Sequence, residues 1–277
     1  MKRRFVQCDV FSRTPARGNG LAVVVEAQGL SAEAMQNFAA WTNLAETTFL
    51  LPPEDPRADY RVRIFTPVRE MPFAGHPTLG SCMTWLHAGG SPREPGIVRQ
   101  ECPIGIVEID VTGEEPAFTA PPTKIEPLSD EALADIADAL EIPRERILRT
   151  ALLDNGPVWQ VLELASAQDV LAVDATKVRW PEHRPVGLIG AHAPGGECAY
   201  EVRMLAPSSG MNEDPITGSL NAALARWMLA EGRLPDAVTV AQGTAIGRLG
   251  RVRVTPRGGD VLIGGAVSIM IDGVLEL

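Results

Sequence analysis

The chain has 277 residues, 45% of them hydrophobic, enough to fill the core of one large or two ordinary domains. A formal net charge of -10 leaves no basic field for a phosphate backbone or an anionic membrane surface, which argues against nucleic-acid and membrane partners. Cys8, Cys82, Cys102 and Cys198 are scattered, with no C-x-x-C pair and no histidine at ligand spacing, so neither a zinc site nor a disulfide framework is expected.

Met1-Lys2-Arg3-Arg4 opens like a signal peptide, but the following residues include Gln7 and Asp9 and alternate like a strand, so a cytoplasmic protein is expected. No uninterrupted apolar stretch approaches the ~20 residues of a membrane helix. Segments 5–10, 21–26, 46–51 and 61–66 read as strands, with Gly18-Asn19-Gly20 supplying turn chemistry before the second. A helix interrupts them. Ser31 is its N-cap, without the Glu that would complete a capping box, and Ala34, Met35, Phe38 and Trp41 recur at helical spacing as a core stripe.

A second helix is predicted from Pro77, with Leu79, Cys82, Met83 and Leu86 on one face and Gly89-Gly90 ending it. Strands near 97–101 and 105–111 follow. The segment 113–127, with Glu114, Glu115, Pro116, Pro121, Pro122 and Pro127, reads as a linker. It sets the expected domains at 1–118 and 119–266. His87, His183 and His192 read as cap or surface residues.

Downstream the order recurs: a helix at 129–140, strands near 147–153 and 158–164, a short helix near 166–172, strands near 186–191 and 199–205, and a long helix from Pro215 to Ala230. Val62-Arg63-Ile64-Phe65-Thr66-Pro67 and Val202-Arg203-Met204-Leu205-Ala206-Pro207 match at a constant offset that also pairs Ala74 with Asp214. Asn19-Gly20 and Asn155-Gly156 lie at nearly that offset, and together these matches point to an ancient duplication. Two sheets, each curled around an apolar helix and meeting face to face, would bring both helix N-termini to an interdomain cleft, where small-molecule sites form.

Phe73-Ala74-Gly75-His76-Pro77-Thr78 and Asn212-Glu213-Asp214-Pro215-Ile216-Thr217-Gly218-Ser219 each run into a helix start. Free N–H groups and the helix dipole favour an anion there, and Gly75 and Gly218 allow a ligand to approach the backbone. Glu46 stands at the entrance of an otherwise apolar strand. Desolvation would raise its pKa and suit it to general-base work; equally, it could cap a turn or pair with an arginine such as Arg63. His76 and Asp214 read as helix caps or as site residues, Glu213 as a solvent-facing neighbour, and Thr217 and Ser219 as hydroxyls clustered about a bare backbone. Neither a phosphate loop nor a dinucleotide fingerprint is present, so no cofactor is expected.

Glu46 within Asn43-Leu44-Ala45-Glu46-Thr47-Thr48-Phe49, the run Gly75-His76-Pro77-Thr78-Leu79-Gly80 and the run from Glu213 to Ser219 together resemble the PhzF-like family of phenazine biosynthesis. Asp9-Val10-Phe11, Gly18-Asn19-Gly20 and the late Gln242-Gly243 with Arg248 are similar to it as well, so the likeness spans nearly the whole chain. The resemblance implies an α+β protein of the diaminopimelate-epimerase-like fold: two pseudo-symmetric domains, each a mixed sheet wrapped around a central helix, with strand 267–277 completing the first. It also implies a homodimer, a small carboxylate substrate, an acid/base role for Glu46, substrate polarisation by His76 and Asp214, and substrate contact by Gly75, Gly218 and Ser219. The two-cysteine chemistry of related epimerases has no counterpart at these helix starts, which leaves isomerisation by a single carboxylate. A noncatalytic binding protein and a proline-type epimerase or dehydratase are the alternatives.

Overall fold

The structure, a computed structural model, describes residues 1–177, 185–206 and 211–277; His183 and Pro207 of the repeat match lie outside the described residues. The chain divides into two compact units, Met1–Thr119 with Gly264–Leu277, and Ala120–Ile263. The first holds β1 (Lys2–Val10), β2 (Asn19–Val24), α1 (Ala32–Thr42), β3 (Glu46–Leu51), β4 (Tyr60–Phe65), β5 (Glu70–Met71), α2 (Gly75–His87), β6 (Ile97–Cys102), β7 (Gly105–Asp110) and β8 (Ala117–Thr119). Then come β9 (Lys124–Glu126), α3 (Asp130–Ala139), β10 (Ile147–Asp154), β11 (Val158–Leu164), α4 (Ala167–Ala172), β12 (Val186–Ala191), β13 (Tyr200–Ala206), β14 (Met211–Asp214), α5 (Gly218–Ala230), β15 (Val238–Gln242), β16 (Gly250–Arg257) and β17 (Asp260–Gly264). The last strand, β18 (Val267–Glu276), belongs to the first unit and pairs antiparallel with β1.

The two units are built alike. In the first, β1–β2 is antiparallel, β2–β3 parallel, β3–β4 and β4–β5 antiparallel, β4–β6 parallel and β6–β7 antiparallel. The second repeats that order and sense through β10–β11, β11–β12, β12–β13, β13–β14, β13–β15 and β15–β16. Mixed strand pairing in each unit, with helices packed on it, makes the fold α+β.

α2 touches β1, β2, β3, β6, β8 and β18, so the sheet wraps it, and every residue from Gly75 to Cys82 is buried. Buried polar groups in such a helix are stabilised by hydrogen bonds. Accordingly Thr78 donates to the Ala74 carbonyl at 2.9 Å and Ser81 to the Thr48 hydroxyl at 2.9 Å. Gly80 marks the closest approach: a β-carbon there would lie 2.5 Å from Leu21 Cδ2 and 3.0 Å from Cys8 Sγ. Beside this helix, Val24, Met35, Ala39, Phe49 and Phe65 form a core cluster; in the second unit Ile136, Leu162, Leu164, Leu188 and Leu205 do the same. Full burial of one such large side chain is worth roughly 1.5–3 kcal/mol.

Four expectations from sequence are corrected. Trp41 is 80% exposed and stacks on Phe38 at 5.9 Å, because α1 buries the narrower stripe of Met35 and Ala39. The segment read as a linker contains β8 and β9, whose backbones are paired with β7 and β10. α2 starts at Gly75, with Pro77 in its first turn, where the helix leaves N–H groups unused. α5 starts at Gly218, after Asp214, because a residue preceding proline is driven to extended backbone and Asp214 pairs with Met204. No helix among the described residues is long and apolar enough to cross a membrane.

Candidate active-site residues

The first group lies where β2, β3 and α2 begin. Asn43, in the left-handed conformation, ends α1 with its N–H on the Ala39 carbonyl and turns the chain into β3, whose first residue is Glu46. Ahead of β2, the buried Asp9 carboxylate accepts from the Arg17 and Gly18 N–H groups at 3.0 and 2.9 Å. Gly18 has no room for a side chain, since a β-carbon would meet Asp9 Oδ1 at 2.9 Å. This loop delivers Asn19, 2% exposed, to His76, 3% exposed.

His76 bridges the group. Its Nδ1 lies 3.3 Å from Asn19 Nδ2, and its Nε2 lies 3.4 Å from Glu46 Oε2. Burial pushes the imidazole down to about 3, so the ring is neutral near pH 7 and its approach to Glu46 is not an ion pair. With the Asn19 amide donating to Nδ1, the single ring proton sits on Nε2, which lies close to the Glu46 carboxylate without making an aligned hydrogen bond to it. His76 lies inside the first turn of α2 and does not cap it. Glu46 does not pair with Arg63, which makes a bidentate pair with Glu70 at 2.7 Å through both nitrogens.

The second group lies where β14 meets α5. Asp214, Thr217 and Ser219 are 8, 7 and 8% exposed, and Gly218 is buried with them. The Thr217 hydroxyl donates to Asp214 Oδ2. Asp214 is therefore a strand end rather than a helix cap; Thr217 holds the cap position and makes no side-chain cap bond. Register also corrects the repeat match: Asp214 opposes Met204 as Met71 opposes Ile64, so Asp214 corresponds to Met71, three residues before the cap of its helix, and Thr217 to Ala74, the cap itself. Asn155 Nδ2 donates to the Ser219 carbonyl at 2.8 Å, and its Oδ1 accepts from Trp159.

Supporting residues went unnoticed in the sequence or were read otherwise. Glu213 is buried and not solvent-facing: Arg203 holds it with Nε and Nη2 at 3.1 and 2.7 Å while donating Nη1 to the Val170 and Val173 carbonyls. The repeat match of Arg63 with Arg203 was the signal, because both make the same fork to a Glu on the following strand. His87 pairs with Asp272 and His192 with Glu201. Among the described residues no three His, Cys, Asp or Glu side chains are arranged to hold a metal ion. A cavity of about 310 Å³ in the first unit, lined by Pro52, Pro53, Tyr60, Trp85 and Gly90, lies at the other end of α2 from His76. It contains none of the residues singled out above.

Comparison with known proteins agrees with the likeness noted in the motifs. The model of the phenazine biosynthesis-like protein family (PhzC-PhzF) matches residues 8–273. Antisense-enhancing sequence 1 of Schizosaccharomyces pombe is 36% identical over 97% of this chain and 94% of its own length. The trans-2,3-dihydro-3-hydroxyanthranilate isomerase of Pseudomonas aeruginosa is 31% identical, covering 92% of this chain and 91% of the relative. The solved structure of a predicted epimerase from Pseudomonas aeruginosa superposes with a TM-score of 0.83 at 26% identity, covering 99% of each chain. With a family model matched almost end to end, and the α+β fold of the diaminopimelate-epimerase-like proteins, the chain belongs to the phenazine biosynthesis-like PhzF family, whose named members include isomerases.

Proposed function

We propose that this isomerase moves a proton from one carbon to another of a small carboxylate-bearing metabolite, with Glu46 as the single acid/base group and without a cofactor. The observation that carries this reading is the pairing of Glu46 with a neutral, buried His76 at 3.4 Å. A carboxylate beside a neutral imidazole keeps its basicity, whereas an imidazolium would suppress it. The Nε2 proton of His76 then polarises the substrate or steadies the carboxylate, and Glu46 takes a proton from carbon and returns it elsewhere on the conjugated framework. Asp214 and Thr217 bind the substrate's amino or hydroxyl group, while the backbone at Gly75, Gly218 and Ser219 meets its carboxylate at the helix starts.

Support for a one-base route comes from the thiols. Cys8 and Cys82 are fully buried, with Cys8 pushed up to about 12 by desolvation, and Cys102 and Cys198 lie on other elements. None stands at the start of α2 or α5. General acid/base help of this kind is worth roughly 10²–10⁴-fold. The test is turnover in deuterated water of trans-2,3-dihydro-3-hydroxyanthranilate, the compound in the relative's name, followed by a panel of small amino and hydroxy acids. The wild-type chain should place deuterium on a carbon other than the one that loses its proton, and Glu46→Gln should fold but run at least about 100-fold slower. Wild-type rates in Glu46→Gln, or label confined to an inverted stereocentre, would overturn the reading.

A further inference from the structure

Gln242 ends β15 and is fully buried, and its side-chain amide makes four hydrogen bonds to one short stretch of chain. Oε1 accepts from the Thr217 N–H at 3.0 Å and from Asn221 Nδ2 at 2.8 Å; Nε2 donates to Thr217 Oγ1 at 3.0 Å and to the Asp214 carbonyl at 3.3 Å. The amide's orientation is set by chemistry. Flipped, it would present N–H groups to two donors and an oxygen to a carbonyl, leaving buried groups unmet on both sides.

A hydroxyl has one proton to give. Because Thr217 Oγ1 already receives a hydrogen bond from Gln242 Nε2, its own proton is left for Asp214 Oδ2, to which it donates. The neighbouring glycine holds the amide in place: Gly243 has a φ of 87°, and a β-carbon there would lie 2.6 Å from the Pro215 carbonyl oxygen and 2.7 Å from Arg248 Cβ. The Gln242-Gly243 motif thus lies against the turn that carries Asp214 and Thr217.

We propose that Gln242 is a positioning residue for the substrate-binding carboxylate: its amide aims the Thr217 hydroxyl, and that hydroxyl orients Asp214. This rests on the reading that Asp214 binds substrate. A plain helix-capping role would need only Oε1 on the Thr217 N–H; positioning needs Nε2 on the hydroxyl.

The experiment follows the side-chain carboxyl ¹³C resonance of Asp214 through pH in the full chain, without substrate. Gln242→Glu keeps an acceptor for Thr217 N–H and Asn221, so the fold should survive, but it replaces the donor; it is compared in the wild-type and Thr217→Val backgrounds. A new charge acts in both backgrounds, whereas loss of the aimed hydroxyl acts only where the hydroxyl exists. The midpoint of Asp214 should therefore rise further in the wild-type background, by about one pH unit. Equal rises in the two backgrounds would overturn the proposal. Should Gln242→Glu fail to fold, the wild-type chain decides: a hydrogen/deuterium isotope shift on the Asp214 carboxyl that vanishes in Thr217→Val is expected, and its absence sinks the idea. Wild-type turnover by Asp214→Asn would instead remove the functional reading and leave the hydrogen-bond result standing.

Discussion

Glu213→Gln and Glu70→Gln remove the same charge from the same fork in the two repeats, yet their costs should differ several-fold. Arg203 and Glu213 have side chains 4 and 2% exposed; Arg63 and Glu70 are 26 and 36% exposed. Removing one partner of a buried pair strands a charge in low dielectric, which costs about 3–5 kcal/mol, whereas exposed pairs contribute about 0.2–1 kcal/mol. Arg203 cannot turn to water, because its Nη1 is engaged by the Val170 and Val173 carbonyls. With a urea slope of roughly 3 kcal/mol/M, the expected difference of about 3 kcal/mol is a midpoint lower by about 1 M. A chain of two compact units need not unfold in one step, so pulse hydrogen exchange along the urea series, read peptide by peptide, assigns a midpoint to each. The double variant Arg203→Met with Glu213→Leu should regain only part of the loss, since it removes both buried charges at once but takes the Arg203 donor from the Val170 and Val173 carbonyls. Equal midpoint shifts for the two Gln variants, or a loss below about 1 kcal/mol for Glu213→Gln, would refute this reasoning.

His76 gives a pH signature. Burial holds its folded value at about 3, below the ordinary histidine value of about 6.5, so the unfolded chain binds the extra proton first. The stability it contributes is complete above about pH 6.5 and is lost as pH falls towards 3; His76→Asn should flatten the unfolding free energy across that window. Gly80→Ala sets helix propensity against space. Alanine gains up to about 1 kcal/mol in a helix interior, but its β-carbon would press on Leu21 and Cys8 in a filled core, an overpacking cost of about 1–3 kcal/mol. The balance should be a lower melting temperature, checked by calorimetry; a rise would show that α2 can move off β1 and β2.

Most of the elements were legible from periodicity and turn chemistry. Ser31 caps α1 as its position suggests, accepting from the Ala34 N–H at 3.1 Å, and β3 spans the expected residues. The errors share a cause. Spacing placed Trp41 with the core stripe and placed the α5 start at Pro215, because a single-chain pattern cannot say which side of a helix meets a neighbour, or that Asp214 pairs with Met204. Glu213 looked like a surface charge for the same reason: its partner Arg203 is adjacent only across a strand pair.

Residue identity alone determined the α+β alternation, the internal repeat and the chemistry on offer: one isolated carboxylate at a strand entrance, a histidine at a helix start, and no thiol at either. Those follow from local propensities and from which groups ionise, and neighbouring chain carries both. Only tertiary structure decided that Asn19 faces His76 Nδ1, that Glu46 faces Nε2, and that Gln242 commits the Thr217 proton to Asp214. Hydrogen bonds between residues tens of positions apart depend on strand register and burial. Desolvation, which keeps His76 neutral, exists only once the core has closed around it.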